Sequence, residues 1–336
     1  MRGRGAQVAA ALAAAAAAVL AAGCGSPATS GTPTTSVTAP SSTTTTTGHA
    51  GKWSVSVPVA PGTDLTVVSC PVAGTCYAGS SGGLTYRLLH DKVTPLGPAV
   101  PSPSPQGASY LSCPSATFCA AAPSPNQVAT YDGRAWQAPA TVPAAQGFTA
   151  IDCTGLAFCI TIDGEGNSFA YDGSGWSGNL GAWGAANQIS CVSPTFCVAA
   201  EGGPSVWNGH TWTQPGNTDA QGQLNSVSCA SSSFCVLVDS NGAVLTWNGV
   251  GFSPPQTIAT EPPLNGANSS GLTGVSCPTP TFCRAVDFIG RVFAWNGSTW
   301  DSGTLIDNGH ALTAISCPTT TYCVAVDRSG NAFFSS

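Results

Sequence analysis

Seven times this chain places two cysteines six positions apart: Cys70/Cys76, Cys113/Cys119, Cys153/Cys159, Cys191/Cys197, Cys229/Cys235, Cys277/Cys283 and Cys317/Cys323. Successive first cysteines are separated by 43, 40, 38, 38, 48 and 40 residues. A period near 40 with turn-rich, strand-like content is that of one propeller blade per repeat. The sixth repeat shows the layout. Leu272 to Cys277 reads as a strand, Pro278 to Thr281 as a loop and Phe282 to Val286 as a second strand. Asp287 to Gly290 is a turn, Arg291 to Trp295 a third strand, and Asn296-Gly297 a two-residue hairpin turn. Ser298 to Trp300 opens a fourth strand. The expectation is an all-β, seven-bladed β-propeller with four-stranded antiparallel blades.

The other repeats keep these positions. Val68, Leu111, Ile151, Ile189, Val227, Val275 and Ile315 stand two residues before each first cysteine. An aromatic stands just before the second cysteine in six repeats, with Thr75 the exception. The hairpin turn recurs as Asp132-Gly133, Asp172-Gly173, Asn208-Gly209 and Asn248-Gly249, followed by Trp136, Trp176, Trp212 and Phe252. Aromatics at fixed repeat spacing read as blade-to-blade packing. The seventh repeat stops at Ser336, before its turn and fourth strand. Gly51-Lys52-Trp53-Ser54 matches the missing piece. The segment around Trp53 is therefore expected to be the outer strand of the last blade, joining the ends and removing an open sheet edge.

Ahead of the repeats, residues 1–23 carry Arg2 and Arg4, an apolar run and small residues, the order of an export signal. Leu20-Ala21-Ala22-Gly23-Cys24 resembles a bacterial lipobox. Fifteen cysteines less seven pairs leave Cys24, and lipidation gives that odd thiol a purpose. Residues 24–50 are Ser, Thr, Pro, Gly and Ala with little else, too polar to fold, and read as a tether. Residues 51–336 are the folded domain. The expected location is the outer face of the cytoplasmic membrane, lipid-anchored, as a monomer.

The formal net charge is −6, and only 7% of residues are charged. With no basic stripe to neutralise phosphates, nucleic acid is excluded as a partner. In an exported chain, each cysteine pair reads as a disulfide across the first hairpin of its blade, the two partners facing each other on adjacent strands. Structural zinc prefers two to four residues between ligand cysteines, and the four histidines keep no repeat position, so no metal is expected. No cofactor is implied.

Asp163, Glu201, Asp239, Asp287 and Asp327 lie four residues after the second cysteines and would ring one face, a candidate binding face for a cationic group. The competing reading is turn chemistry, since four of them begin Asp-x-x-Gly. A serine precedes the first cysteine in six repeats, and Asp152 replaces it in the third. Six equivalent serines are structural, and Asp152 is the exception worth mutating, counted with the five acids as a possible binding residue. Ser253 to Gly271 is the longest blade-to-blade connection. Trp183 and His210 fall outside the repeated aromatic positions. No catalytic residue is assigned.

The repeat S-C-P-x-x-x-x-C, then D-x-x-G and N-G-x-x-W, resembles a family of exported actinobacterial propeller proteins. Ser276-Cys277-Pro278 to Cys283 and Ser316-Cys317-Pro318 to Cys323 are good copies. The resemblance implies a seven-bladed propeller. The architecture also looks like kelch and sialidase propellers, but the kelch glycine doublet is missing and the few arginines hold scattered repeat positions. The expected function is a non-catalytic surface scaffold binding a protein or a glycan. The alternative is a glycan hydrolase or lyase with a site in the central funnel, which would need Asp152, Arg134 or Arg284 to converge with a tyrosine at one end of the channel.

Overall fold

A computed structural model describes residues 52–90, 92–99, 110–181, 184–200, 202–215, 222–260, 271–308 and 310–336. The expected export signal, Cys24, the Ser/Thr/Pro tether of residues 24–50, Trp183 and Glu201 lie outside the described residues.

The fold is a seven-bladed β-propeller of antiparallel sheets. Blade 1 is Leu65–Val72, Thr75–Ser80, Leu84–Leu89 and Lys92–Pro98. Blade 6 is Leu272–Thr279, Phe282–Asp287, Arg291–Trp295 and Thr304–Leu305. In each blade but the last the strands run in sequence order from the channel outward. Both faces of every sheet are buried against neighbours, so the second strands read as nearly unbroken apolar runs, such as Phe158–Asp163. Seven apolar clusters fill the seven junctions between blades. Phe118, Phe158 and Phe282, just before second cysteines, each pack into such a junction.

The last blade is completed by the start of the domain. Val57–Pro58 pairs antiparallel with Asn331–Ser335, Val57 opposite Ala332 and Pro58 opposite Asn331. Trp53 bridges Ser335. Ser54 N–H donates to the Phe334 carbonyl at 2.8 Å.

Two details differ from the sequence reading. Trp300 does not open a fourth strand: it bridges Trp295 alone, and the outer strand is Thr304–Leu305. The Asp301 carboxylate accepts the Ala294 N–H at 2.9 Å, and in blade 5 the Ser253 hydroxyl accepts the Thr246 N–H at 3.0 Å. A side-chain oxygen occupies the ladder position, so the backbone leaves the sheet before rejoining it. Hence Ser253 to Gly271 is not all connection, because Gln256–Thr257 is the outer strand of blade 5. Blade 3 has only three strands, Phe148–Gly155, Phe158–Asp163 and Ser168–Tyr171, and Trp176 bridges Tyr171 where a fourth would begin.

All seven cysteine pairs are disulfides: Cys70–Cys76, Cys113–Cys119, Cys153–Cys159, Cys191–Cys197, Cys229–Cys235, Cys277–Cys283 and Cys317–Cys323. As expected, the two partners face each other across adjacent strands in every blade, Cα atoms 3.9 to 4.1 Å apart, and in three blades they are also paired in the ladder. Cys153 faces Cys159, Cys191 faces Cys197 and Cys229 faces Cys235 across the two inner strands. In blades 1, 2, 6 and 7 the partners are as close but the ladder register shifts at the cysteines themselves. The paired positions jump from Ser69 to Val72, from Ser112 to Ser115, from Ser276 to Thr279 and from Ser316 to Thr319. Cys76 and Cys119 therefore have no register partner on the first strand. They keep one on the third, Leu88 for Cys76 and Tyr131 for Cys119, as Cys283 keeps Trp295 and Cys323 keeps Ser335. In these blades it is the sulfur bond, with Cα atoms 4.0 to 4.1 Å apart, that holds the strands together where the ladder lapses. Seven disulfides indicate an oxidising, extracellular environment.

Candidate functional site

The inner strands line a central channel, and three tiers of side chains organise it. The first tier stands four residues before the first cysteine, a position that holds Thr or Asn in six repeats; in the second it is Ser109, outside the described residues. Asn187 Nδ2 donates to the Leu224 carbonyl at 2.6 Å, and Asn225 Nδ2 to the Leu272 carbonyl at 2.7 Å. The Thr273 hydroxyl donates to the Leu312 carbonyl and the Thr313 hydroxyl to the Leu65 carbonyl, both at 2.6 Å. Each bond ties a blade to its successor, and the last crosses from blade 7 to blade 1.

The middle tier is mostly small or apolar. Val67, Ala150, Gly274 and Ala314 border a cavity of about 120 Å³, and Tyr110, Gln188 and Ser226 bring polar atoms to the same tier. The Ser226 hydroxyl donates to Gln188 Oε1 and accepts the Val275 N–H at 3.1 Å.

The third tier is the serine before each first cysteine. Each Oγ accepts the cysteine N–H of the following blade: Ser69 from Cys113, Ser112 from Cys153, Ser190 from Cys229, Ser228 from Cys277, Ser276 from Cys317 and Ser316 from Cys70. These six bonds measure 2.9 to 3.0 Å. Asp152 supplies the seventh, its Oδ2 accepting the Cys191 N–H at 2.7 Å. Its Oδ1 accepts the Ser112 hydroxyl at 2.7 Å, so one carboxylate links blades 2, 3 and 4. Burial pushes the Asp152 carboxyl up to about 6, although bonds from Ser112, Cys191 and Cys153 pull the other way.

One end of the channel opens into a mouth of about 300 Å³. Below its rim lies the Thr/Asn tier. On the rim are exposed Asp64, half-buried Phe288 and exposed Arg328. The Arg328 guanidinium lies over the Phe288 ring, 5.6 Å from its centroid. Phe288 and Arg328 follow the turn acids Asp287 and Asp327, a repeat position held elsewhere by Gly164 and Ser240. That substitution of side chains for small residues is the sequence signal that marks the mouth, together with the Thr/Asn column.

The turn acids themselves do not face a ligand. Asp163, Asp239, Asp287 and Asp327 are fully buried. Asp239 Oδ1 accepts the N–H groups of Asn241 and Ala243, and Asp327 Oδ1 those of Ser329 and Asn331. Asp163 Oδ1 accepts from Glu165 and Asn167, while its Oδ2 takes the Gln146 N–H. Asp287 adds an ion pair with Arg291, Oδ2 to Nε at 2.7 Å. The turn reading accounts for all four, and no open ring of carboxylates stands among the described residues of this face. Arg284 is buried, with its guanidinium 4.5 Å from the centre of the Phe282 ring. It occupies a strand position that holds Val198, Val236 and Val324 in other blades, a signal of burial that the sequence contained. Arg134 is exposed in the turn after the third strand of blade 2. Asp152, Arg134 and Arg284 therefore sit in three different settings and form no common cluster.

A ring of disulfide-pinned sheets around a central channel defines a seven-bladed β-propeller. No protein-family model matches the chain, and no curated protein matches it. Solved structures do. The WD40 repeats of RRP9 superimpose with a TM-score of 0.69 at 11% identity, over 84% of this chain and 99% of that one. YCF48 bound to D1 peptide gives 0.66 at 15% identity, over 84% and 96%. YCF48 from Cyanidioschyzon merolae gives 0.64 at 12% identity, over 84% and 98%. At such identities the likeness is one of fold.

Proposed function

We propose that this chain is an exported, lipid-anchored scaffold that holds a protein or glycan at the mouth of its channel without transforming it. The anchor is Cys24 and the tether is the Ser/Thr/Pro segment that follows it. The observation that carries the reading is the character of the channel: hydroxyl and amide side chains stand beside small and apolar ones, and those of Asn187, Asn225, Thr273 and Thr313 already bond neighbouring blades. Rigid walls with a mixed apolar and charged rim suit recognition. The groups a glycan hydrolase would bring together are dispersed, Arg284 against Phe282 and Asp152 between Ser112 and Cys191. YCF48, of the same fold, has been solved bound to a peptide.

The test is retention of envelope polysaccharides and secreted proteins on the immobilised full-length chain, with Arg328→Ala and Phe288→Ala in parallel. Retention that both substitutions weaken supports the reading. Retention of nothing, alongside turnover of a chromogenic glycoside, overturns it.

A further inference from the structure

On the face opposite the mouth, a groove of about 660 Å³ runs between blades 3 and 4. It lies where the turn after the third strand of blade 3 meets the first hairpin and the corresponding turn of blade 4. Tyr171, Trp176, Leu180 and Trp207 give it an apolar wall. Tyr171 and Trp176 hold each other, ring centroids 5.5 Å apart, and both are half-buried. Trp207 is fixed from below by its indole N–H, which donates to the Pro194 carbonyl at 3.0 Å.

Two exposed polar groups flank this wall, Asp172 and His210. Asp172 uses one oxygen for its own turn: Oδ1 accepts the Ser174 and Gly175 N–H groups and the Ser174 hydroxyl. Those bonds hold the carboxyl below its ordinary range and leave Oδ2 unengaged among the described residues. The His210 ring also bonds to none of the described residues; its backbone N–H alone is tied, to Asn208 Oδ1. An acceptor and a ring nitrogen thus stand free beside aromatic surface.

We infer that this groove is a second binding site and that its ligand is a neutral oligosaccharide. A pyranose has an apolar C–H face that stacks on aromatic rings and a rim of hydroxyls that both donate and accept. Those are the complements of the wall and of its two flanking groups. An added peptide strand does not fit, because the outer edge of blade 3 is already spent. Ser177 N–H donates to the Ala170 carbonyl, Leu180 N–H to the Ser168 carbonyl, and Ala170 N–H to the Ser177 hydroxyl. This site is independent of the mouth.

The sister blades supply substitutions that the fold accepts. Asn stands at the Asp172 position in blades 4, 5 and 6, and Phe252 stands at the Trp176 position in blade 5. The experiment is calorimetric titration of the full-length chain, purified in detergent, with cellohexaose, maltohexaose and mannohexaose, and separately with a lysine hexapeptide. Saturable binding of at least one oligosaccharide is expected. Trp176→Ala should weaken it by about tenfold or more, and Asp172→Asn and Trp176→Phe by several-fold. Trp300→Ala, at the same position in blade 6, and Arg328→Ala at the mouth should leave it unchanged. Binding of none of the three sugars overturns the proposal. So does sugar binding that survives Trp176→Ala, or binding of the lysine peptide in their place.

Discussion

Where six blades set a serine hydroxyl against the next blade's cysteine N–H, blade 3 sets the Asp152 carboxylate. The exchange introduces the one titrating group of that tier. Its folded-state value, about 6, lies above the ordinary 3.8, so the folded protein binds a proton that the unfolded chain has already released. The contribution of Asp152 to stability is therefore fully present below about pH 4 and is lost as pH rises through about 6. Asp152→Ser, which restores the repeat, should raise the melting temperature at pH 8. The gain should shrink towards pH 4, where the protonated acid is no longer penalised and its bond with Ser112 is kept. Thermal melts of both proteins at pH 4, 6 and 8 check this, and a difference that does not vary with pH would count against it. The sequence marked Asp152 as an exception but gave no hint of what it touches. Its partners lie 40 and 39 residues away, in two other blades.

In four of the described blades the turn between second and third strands rests on a buried acid, yet the four acids are not equivalent. Asp287 alone among them faces a cation, the buried Arg291, whose guanidinium also lies 4.9 Å from the centre of the Phe293 ring. Asp287→Ala strands that charge and should cost about 3 kcal/mol or more. Asp239→Ala removes acceptors from two N–H groups and should cost about 1–2 kcal/mol. Urea denaturation of the two variants separates these cases, and equal losses would deny the ion pair any special weight. The glycine ending the turn is as constrained as the acid beginning it. Gly330 has φ +87°, and a Cβ there would lie 1.9 Å from the Ala60 carbonyl oxygen. Gly330→Ala should therefore push the closing strand away and lower the melting temperature, whereas Gly175→Ala, with open space around it, should do far less. Asp-x-x-Gly was legible as a turn because that pattern has a local cause. The break before each outer strand was not, since it depends on which side chain takes a ladder bond from the strand beside it. The lapse of register beside Cys76 and Cys119 was hidden for a related reason: blades 1 and 2 share the cysteine spacing of blade 3, where the ladder continues through the pair.

At the scale of the whole molecule, the repeat period, cysteine pairs and truncated seventh repeat were enough to read both the blades and the way the ring shuts. The groove between blades 3 and 4 and the mouth were not readable, because each is made by residues that meet only once the ring is closed. Closure has its own test. Deleting residues 52–60 should bare the Asn331–Ser335 edge, lower the melting temperature and promote self-association, visible by size-exclusion chromatography. A monomer of unchanged stability would mean that the outer strand of the last blade is dispensable. The disulfides act on a different part of each blade. Replacing Cys229 and Cys235 together by serine should cost about 2 kcal/mol, the value for closing so short a loop. All seven lie on the inner two strands, while the chain enters through Trp53 and Val57 on the outermost strand of blade 7. A pull delivered through the residues before Lys52 would thus strip the rim first, peeling Trp53 and Ser54 from Ser335 and Phe334 and then Val57 and Pro58 from Ala332 and Asn331. The sulfur bonds would stay unstressed, so under tension the molecule should yield at its periphery and snap back with its hub intact.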